Sequence, residues 1–203
     1  MEKFFGITSG LLVFISFIPY IKNVWQGNIT PNLTTWIIWS FIGFVLLVTY
    51  KSIGSEESIY PVIFGFVNPV LVTLVMFFVA KKINRITLLE IICILFSVLA
   101  IILWYLASNN SNYFIYANYI AIIADLFAVI PTLKDYWKNP ENDRPFSWIL
   151  FSFAYFLLIF SIKNEQEISS YVLPVYMSFM SLLVAIPLVI FCVKNKTKLK
   201  DWI

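Results

Sequence analysis

The chain has no histidine, only two cysteines and few charged residues. Charged residues make up 12% of its 203 residues, whereas soluble domains carry about 25%. The absence of histidine excludes most zinc sites, Ser-His and Cys-His nucleophiles and histidine proton relays. Cys93 and Cys192 both lie in apolar runs, so neither a disulfide scaffold nor a paired-thiol redox site is indicated. We therefore expect no enzyme, no cofactor and no metal site.

Long apolar segments dominate the chain instead. Hydrophobic residues make up 61% of it, and a bilayer core of about 30 Å requires about 20 such residues per helix. Seven segments meet this length, at 4–24, 33–51, 59–80, 86–107, 113–135, 146–163 and 170–193. The sequence predicts an all-α integral membrane protein with seven transmembrane helices, embedded in the lipid bilayer.

The basic residues lie mostly on one side of the predicted membrane. Of the 14 Lys and Arg residues, only Lys3, Lys51 and Lys163 fall on the other side when the segments alternate in direction. Because such an excess marks the cytoplasmic face, we expect the N-terminus outside and the C-terminus in the cytoplasm, in a cell (inner) membrane. The Lys-rich tail at 194–200 suits contact with anionic lipid, and the short basic loops do not form a nucleic-acid interface.

The sequence repeats itself at a fixed offset of 112 positions. The offset aligns residues of types that rarely coincide by chance: Pro19 with Pro131, Lys22 with Lys134, Trp25 with Trp137 and Trp36 with Trp148. We interpret this as an internal duplication. The first three-helix repeat is then 1–85, a linker helix 4 occupies 86–110, and 111–203 holds the second repeat and the tail.

Both predicted repeats run in the same direction, because the linker helix returns the chain across the membrane. Two parallel three-helix bundles related by an axis along the membrane normal are a recurring transporter design, with the substrate near the midplane between them. This arrangement predicts a carrier of a small-molecule substrate, and it is compatible with a homo-oligomer.

The duplicated unit resembles the SWEET and PQ-loop superfamily of transporters. The resemblance covers essentially the whole chain and rests on Pro19 and Pro131 near the inner ends of helices 1 and 5. It also rests on two aromatic helix starts, Trp36-Ile37-Ile38-Trp39 and Trp148-Ile149-Leu150-Phe151. The dipeptide that names the superfamily reads Pro19-Tyr20 and Pro131-Thr132 here. The resemblance implies transport by alternating access, with a sugar facilitator as the leading function.

Pro19 and Pro131 are candidate hinges. Each removes a backbone donor and clashes with the preceding turn, which kinks a helix, although membrane helices also tolerate proline without such a role. The resemblance implies that helix prolines act as pivots between outward-open and inward-open states.

Asn68 is a candidate substrate-binding residue because it lies deep in helix 3, beside Pro69. A polar side chain at that depth either contacts substrate or bonds a neighbouring helix. The resemblance implies a helix 3 asparagine that binds sugar hydroxyls. The offset pairs Asn68 with Met180, near Ser178 and Ser181, so we include Ser178 among the candidates.

Asp125 is the one carboxylate deep in a predicted span, where a charged Asp costs about 2.5 to 3.5 kcal/mol. Asn118, Asp125 and Thr132 lie seven apart and so form one polar stripe along helix 5. We expect Asn118 and Asp125 to contact substrate. Asp125 is further predicted either to couple transport to a proton, to hold a cationic substrate, or to bond hydroxyls as a structural residue.

Aromatic residues cluster near the predicted cytoplasmic boundary, where we expect most of them to form a headgroup belt: Trp25, Trp36, Trp39, Trp137 and Trp148. Tyr50 is a candidate to stack on a sugar ring or a flat aromatic solute, a role that the resemblance implies. Lys51 and Lys163 are expected to be snorkelling anchors or part of an outer salt-bridge gate with Glu56, Glu57, Glu165 and Glu167.

Two alternatives to a sugar facilitator remain open. One is a proton-coupled PQ-loop-type carrier of an amino acid or vitamin-like solute, which Asp125 favours. The other is a KDEL-type sorting receptor of the same architecture, which binds a peptide and calls for a basic pocket inside the bundle.

Overall fold

The computed structural model describes residues 1–53, 58–79, 86–107, 112–163 and 168–203. These residues form α-helices and short 3-10 turns and contain no strand, so the all-helical prediction is confirmed. The bounds differ from the predicted segments by less than one turn, except that α6 ends at Leu158, five residues before the predicted end at 163. The helices are α1 (Glu2–Gln26), α2 (Leu33–Lys51), α3 (Ile59–Val79), α4 (Leu88–Leu106), α5 (Asn112–Lys138), α6 (Pro145–Leu158) and α7 (Ser169–Lys194).

Six of these helices are long and apolar enough to cross a membrane: α1, α2, α3, α4, α5 and α7. The remaining apolar helix is shorter and covers Pro145–Ser161, in which α6 continues as the 3-10 turn Ile159–Ser161. The structure therefore accounts for six of the seven predicted spans by length. Large apolar side chains cover the exterior, such as Phe78 and Leu95, as expected of a protein embedded in lipid.

Local capping explains where several helices begin and end. The Asn32 side chain accepts a hydrogen bond from Thr34 N at the start of α2, and Thr87 and Glu90 form a reciprocal capping box at the start of α4. Gly27 ends α1 in the left-handed conformation, with φ 71°, which glycine adopts without a steric penalty. These caps satisfy backbone groups that a helix end leaves without partners.

We call α1–α3 the first half and α5–α7 the second half. In the first half α3 packs against both α1 and α2, and in the second half α7 packs against both α5 and α6. The halves meet where α1 packs against α6 and α2 against α5, while α4 packs on α5 and α2. Gly43 permits a close approach of α2 to α3, because a Cβ there would lie 3.0 Å from Gly65 O and Phe66 Cα.

The loop between α1 and α2 meets the loop between α5 and α6, where Thr30 N donates to Asn142 O at 3.1 Å. The C-terminal 3-10 turn, Leu199–Trp202, lies at the same place, because Lys200 and Asp201 share a surface groove with Asn28. We call this the basic end of the molecule, and it corresponds to the predicted cytoplasmic side. The proposed gate partners Glu56, Glu57, Glu165 and Glu167 and the loop residues Lys81, Lys82 and Arg85 lie outside the described residues.

Candidate functional site

Aromatic rings from both halves converge beside the start of α2. Trp36 contacts Trp39 with ring centroids 5.2 Å apart, and Trp39 contacts Trp148 of α6 at 5.9 Å. Tyr20 of α1 lies 5.0 Å from Trp36 and 6.3 Å from Trp148. Phe17 and Phe151 extend the cluster with a contact at 6.0 Å. The aromatic starts of α2 and α6 therefore face each other across the junction of the halves.

These rings form part of the wall of a cavity of about 80 Å³ between the halves, which we call the central cavity. A space of this size holds several water molecules. Its lining comes from every helix except α4: Phe17, Tyr20, Trp36, Trp39, Gly43, Leu46, Gly65, Pro69, Asp125, Val129, Ser147, Trp148, Phe151, Met177, Met180, Ser181 and Val184.

Asp125 lies at the middle of α5 and contributes a carboxylate to the central cavity. Its Oδ2 accepts a hydrogen bond from the Tyr176 hydroxyl of α7 at 2.8 Å. Its side chain is 9% exposed. A carboxylate has about four acceptor sites, and Tyr176 is the only hydrogen-bond donor to Asp125 among the described residues. Asp125 thus has acceptor capacity left for a molecule in the cavity.

The two candidate asparagines bond neighbouring helices and do not line the central cavity. Asn68 Nδ2 donates to Val13 O of α1 at 3.1 Å, and Asn118 Nδ2 donates to Thr49 Oγ1 of α2 at 3.0 Å. Both side chains are almost fully buried. In the described part of the chain, the Oδ1 atom of each has no hydrogen-bond partner.

Tyr50 and Ser178 also lie outside the cavity lining. The Tyr50 hydroxyl contacts Ser58 Oγ at 3.0 Å and donates to Ser170 O of α7 at 3.1 Å. Ser178 accepts, through its carbonyl oxygen, a hydrogen bond from Ser152 Oγ at 2.7 Å. Of the sequence candidates for substrate contact, Asp125 alone reaches the central cavity, and direct contact of the others with substrate stays a prediction.

Asp143 is a buried carboxylate that the sequence reasoning missed. It lies between α5 and α6 and is 1% exposed, and its Oδ2 accepts hydrogen bonds from the side chains of Tyr20 (3.2 Å), Trp148 (3.1 Å) and Tyr136. Its Oδ1 accepts from Arg144 N at 2.6 Å. An aspartate in a polar loop usually lies in water. The sequence did contain one signal for its burial, because the aromatic residues Tyr136 and Trp148 flank the loop on both sides.

The environment of Asp143 acts on its pKa in opposite directions. Burial raises the pKa of Asp143 from 3.8 to about 6, because desolvation disfavours the ionised form. The hydrogen bonds from Tyr136, Arg144 N, Trp148 and Tyr20 lower it. Burial dominates, so Asp143 changes its charge close to neutral pH.

Hydrogen bonds between the halves lie at both ends of the central cavity. At the basic end Tyr20 of α1 reaches Asp143, beside the backbone contact of the two loops. At the opposite end α2 is joined to α5 by Thr49 and Asn118 and to α7 by Tyr50 and Ser170. The described structure is thus held together across the halves above and below the cavity.

The tryptophans divide into exposed and buried residues. Trp25 and Trp137 are 63% and 61% exposed, as a headgroup belt requires, whereas Trp36 is 3% exposed and lies in the aromatic cluster.

Pro19 and Pro131 lie inside α1 and α5, and each lines a polar groove beside the start of a helix in the other half. Whether the prolines act as hinges stays a prediction. Lys51 and Lys163 are exposed.

Comparison of the chain with protein-family models, with curated proteins and with solved structures found no match.

Proposed function

We propose that the protein is a carrier that moves a small polar solute across a membrane by alternating access. The observation that carries this proposal is the composition of the central cavity. Residues that the 112-position offset pairs with each other line it from both halves: Phe17 and Val129, Trp36 and Trp148, Trp39 and Phe151, Gly65 and Met177, and Pro69 and Ser181. A cavity built from equivalent positions of two repeats is the expected location of a transporter site.

The helix contacts support the proposed arrangement of two three-helix bundles joined by a linker helix. The 112-position offset makes α1 equivalent to α5 and α2 equivalent to α6. Exchanging the two halves therefore converts the contact of α1 with α6 into the contact of α5 with α2, and both contacts are present. The same relation converts the packing of α3 on α1 and α2 into that of α7 on α5 and α6. We propose that α1–α3 and α5–α7 move against each other as two parallel repeats, with α4 as the linker.

In this proposal the contacts between the halves act as two gates. The basic-end gate consists of Tyr20 with Asp143 and Thr30 with Asn142. The opposite gate consists of Thr49 with Asn118 and Tyr50 with Ser170. Alternating access breaks one set while the other is kept, and Pro19 and Pro131 are the proposed pivots because they lie beside the basic-end gate.

Two arguments bear on the class of solute, and they favour different solutes. The resemblance to SWEET carriers suggests a sugar, for which the Trp39 and Trp148 rings offer stacking surfaces. Asp125 in the cavity favours the alternative, a proton-coupled carrier or a carrier of a charged solute. The sorting-receptor alternative calls for a basic pocket, and the described lining of the central cavity contains neither Lys nor Arg, which favours a carrier. The proposed location is a cell (inner) membrane with the basic end in the cytoplasm.

The test is to lock the basic-end gate and measure transport. Thr30→Cys with Asn142→Cys, in a chain in which Cys93 and Cys192 are replaced by Ala, places two thiols where the backbone atoms lie 3.1 Å apart. After reconstitution into vesicles, uptake is screened with sugars, amino acids, nucleosides and organic amines at two pH values. A short methanethiosulfonate crosslinker should abolish uptake, and reduction should restore it.

Each single cysteine variant, treated with the same reagent, serves as the control and should retain uptake. Full uptake by completely crosslinked protein would show that the basic end does not need to open and would contradict alternating access. Absence of uptake for every solute class in the unlocked protein would contradict the carrier itself.

A further inference from the structure

The charges around the central cavity point to the kind of solute. Among the described residues that line it, Asp125 is the one charged side chain. A second carboxylate, Asp143, lies directly behind Tyr20 and Trp148, which belong to the lining. A solute with a free carboxylate or phosphate would meet the Asp125 carboxylate, with Asp143 behind the wall, and no basic side chain among the described lining residues. Because charges interact strongly away from water, such a solute is disfavoured and a cation is favoured.

The aromatic walls suit the same ligand. Trp39 and Trp148 meet at an interplanar angle of 63°, and Trp36 stands at 87° to Trp39, so ring faces point in several directions around the space. A cation within about 6 Å of a ring centroid is attracted by the negative face, most strongly for tryptophan. Aromatic rings at steep angles and a carboxylate in the lining of one cavity thus offer both kinds of contact that an organic cation uses.

Apart from Asp125 and the hydroxyls of Ser147 and Ser181, the described lining offers few polar side chains that a sugar could use. The Tyr20 hydroxyl and the Trp148 indole N–H already donate to Asp143, and the amides of Asn68 and Asn118 bond other helices. Each unpaired hydroxyl that is buried costs free energy, so a solute with many hydroxyl groups would lose more on entering this cavity than a compact cation with an apolar surface.

We propose that the solute bound in the central cavity is a small organic cation, with its charge held by Asp125 and its apolar surface held against Trp39 and Trp148. This inference rests on the proposed carrier function and names its substrate class. The unused acceptor capacity of Asp125 provides the ion pair, and the absence of Lys and Arg from the described lining provides the selectivity against anions.

The test compares cations with neutral molecules of the same shape. Choline is paired with 3,3-dimethylbutan-1-ol, in which carbon replaces the charged nitrogen, and benzylamine is paired with benzyl alcohol. Binding to purified wild-type protein is measured by quenching of tryptophan fluorescence and by thermal shift, with glucose as a sugar probe. We expect at least one cation to bind about tenfold or more tightly than its neutral partner, because an ion pair shielded from water exceeds 1.4 kcal/mol.

Two variants assign the binding to the cavity. Asp125→Asn should remove the preference for the cation, and Trp39→Leu should weaken binding of both members of a pair. Trp25→Leu is the matched control, because Trp25 is 63% exposed on the outside of α1, and it should bind as the wild type does. If Asp125→Asn does not fold, the comparison of cation and neutral partner on the wild type still decides the question.

The outcomes separate this inference from the carrier proposal. Equal binding of cation and neutral partner, no binding of either cation, or tighter binding of glucose would overturn the cation assignment, while gated uptake of another solute would leave the carrier proposal intact. Cation binding by a protein that takes up none of the tested solutes would support the site and contradict the carrier.

Discussion

The two halves place different side chains at positions that the predicted repeat makes equivalent. Val13 of α1 corresponds to Asp125 of α5. Val13 is fully buried in an apolar cluster with Ala154 and Leu158 of α6, whereas Asp125 faces the central cavity and meets Tyr176. Helix packing needs complementary shape, which both halves supply. The proposed recognition of a cation needs a charged group, and among the described lining residues the second half supplies it.

A second pair of equivalent residues, at the basic end, shows the same asymmetry between the halves. Trp36 and Trp148 are repeat equivalents and both line the cavity, but Trp148 donates to Asp143 at 3.1 Å while Trp36 packs on Tyr20. The loop of the first half has Pro31 where the second half has Asp143. Ten of the 17 described residues that line the cavity form repeat pairs, and the carboxylates in and behind the lining belong to the second half.

The largest expected effect separates Val13 from Asp125. Asp125→Asn should reduce uptake of the transported cation by about tenfold or more, because removing one partner of a buried charge pair costs about 2 to 5 kcal/mol. Val13→Thr, at the equivalent position, should leave uptake per folded molecule near the wild-type rate. Initial uptake rates in vesicles, normalised to protein content, measure both. Equal losses in the two variants would mean that the asymmetry has no part in transport.

The next comparison concerns Tyr20 and its equivalent, Thr132. Tyr20→Phe removes a hydrogen bond to a carboxylate, which is worth about 1.5 to 3 kcal/mol, and should open the basic-end gate more often. A cysteine at Ser181, with Cys93 and Cys192 replaced by Ala, should then react about tenfold faster with a thiol reagent applied from the basic end. Thr132→Val should change this rate little, since Thr132 has no bond to Asp143. Unchanged labelling in Tyr20→Phe would show that Tyr20 does not hold the gate.

A smaller effect is expected from the pH dependence of Asp143. Its pKa in the folded protein, about 6, lies above the ordinary 3.8, so the protonated form is favoured by folding. The resulting stability is complete below about pH 4 and is lost as the pH rises through about 6. The charged or titratable groups beside it are Tyr20, Tyr136 and Arg144.

The melting temperature of the wild type in detergent should therefore fall by a few degrees between pH 5 and pH 7 relative to Asp143→Asn. The difference between the two proteins removes contributions from other groups. Parallel pH profiles would show that Asp143 does not titrate in this range.

The smallest expected effect compares Asn68 with Met180. Asn68 bonds α3 to α1, so Asn68→Ala should lower stability by about 1 to 3 kcal/mol and leave transport per folded molecule largely intact. Met180 lines the cavity, so Met180→Ala should alter solute affinity more than stability. Thermal melting and uptake measured on the same preparations distinguish the two roles. A larger loss of transport in Asn68→Ala than in Met180→Ala, at equal stability, would support Asn68 as a substrate-binding residue.

Much of the fold followed from the sequence because its determinants are local. Apolar run length set the helices, and caps such as Asn32 and Gly27 set their ends. Asp125 was predicted to be functional because a charged side chain is costly in the hydrocarbon of a membrane, and Asp125 does line the central cavity. The shortness of α6 was less visible, because its last turn becomes a 3-10 turn before Ile162.

The sequence by itself therefore determined an all-helical chain suited to a membrane and identified Asp125 as a residue that is costly to bury, while the repeat stays a prediction. Only the tertiary structure decided that Trp36 faces the cavity while Trp25 faces outward, that Asn68 bonds α1, and that Asp143 is buried by Tyr20 and Trp148. The physical reason is that hydropathy depends on composition along the chain. The direction in which a polar or aromatic side chain points depends on neighbours in other elements, up to 123 residues away along the chain.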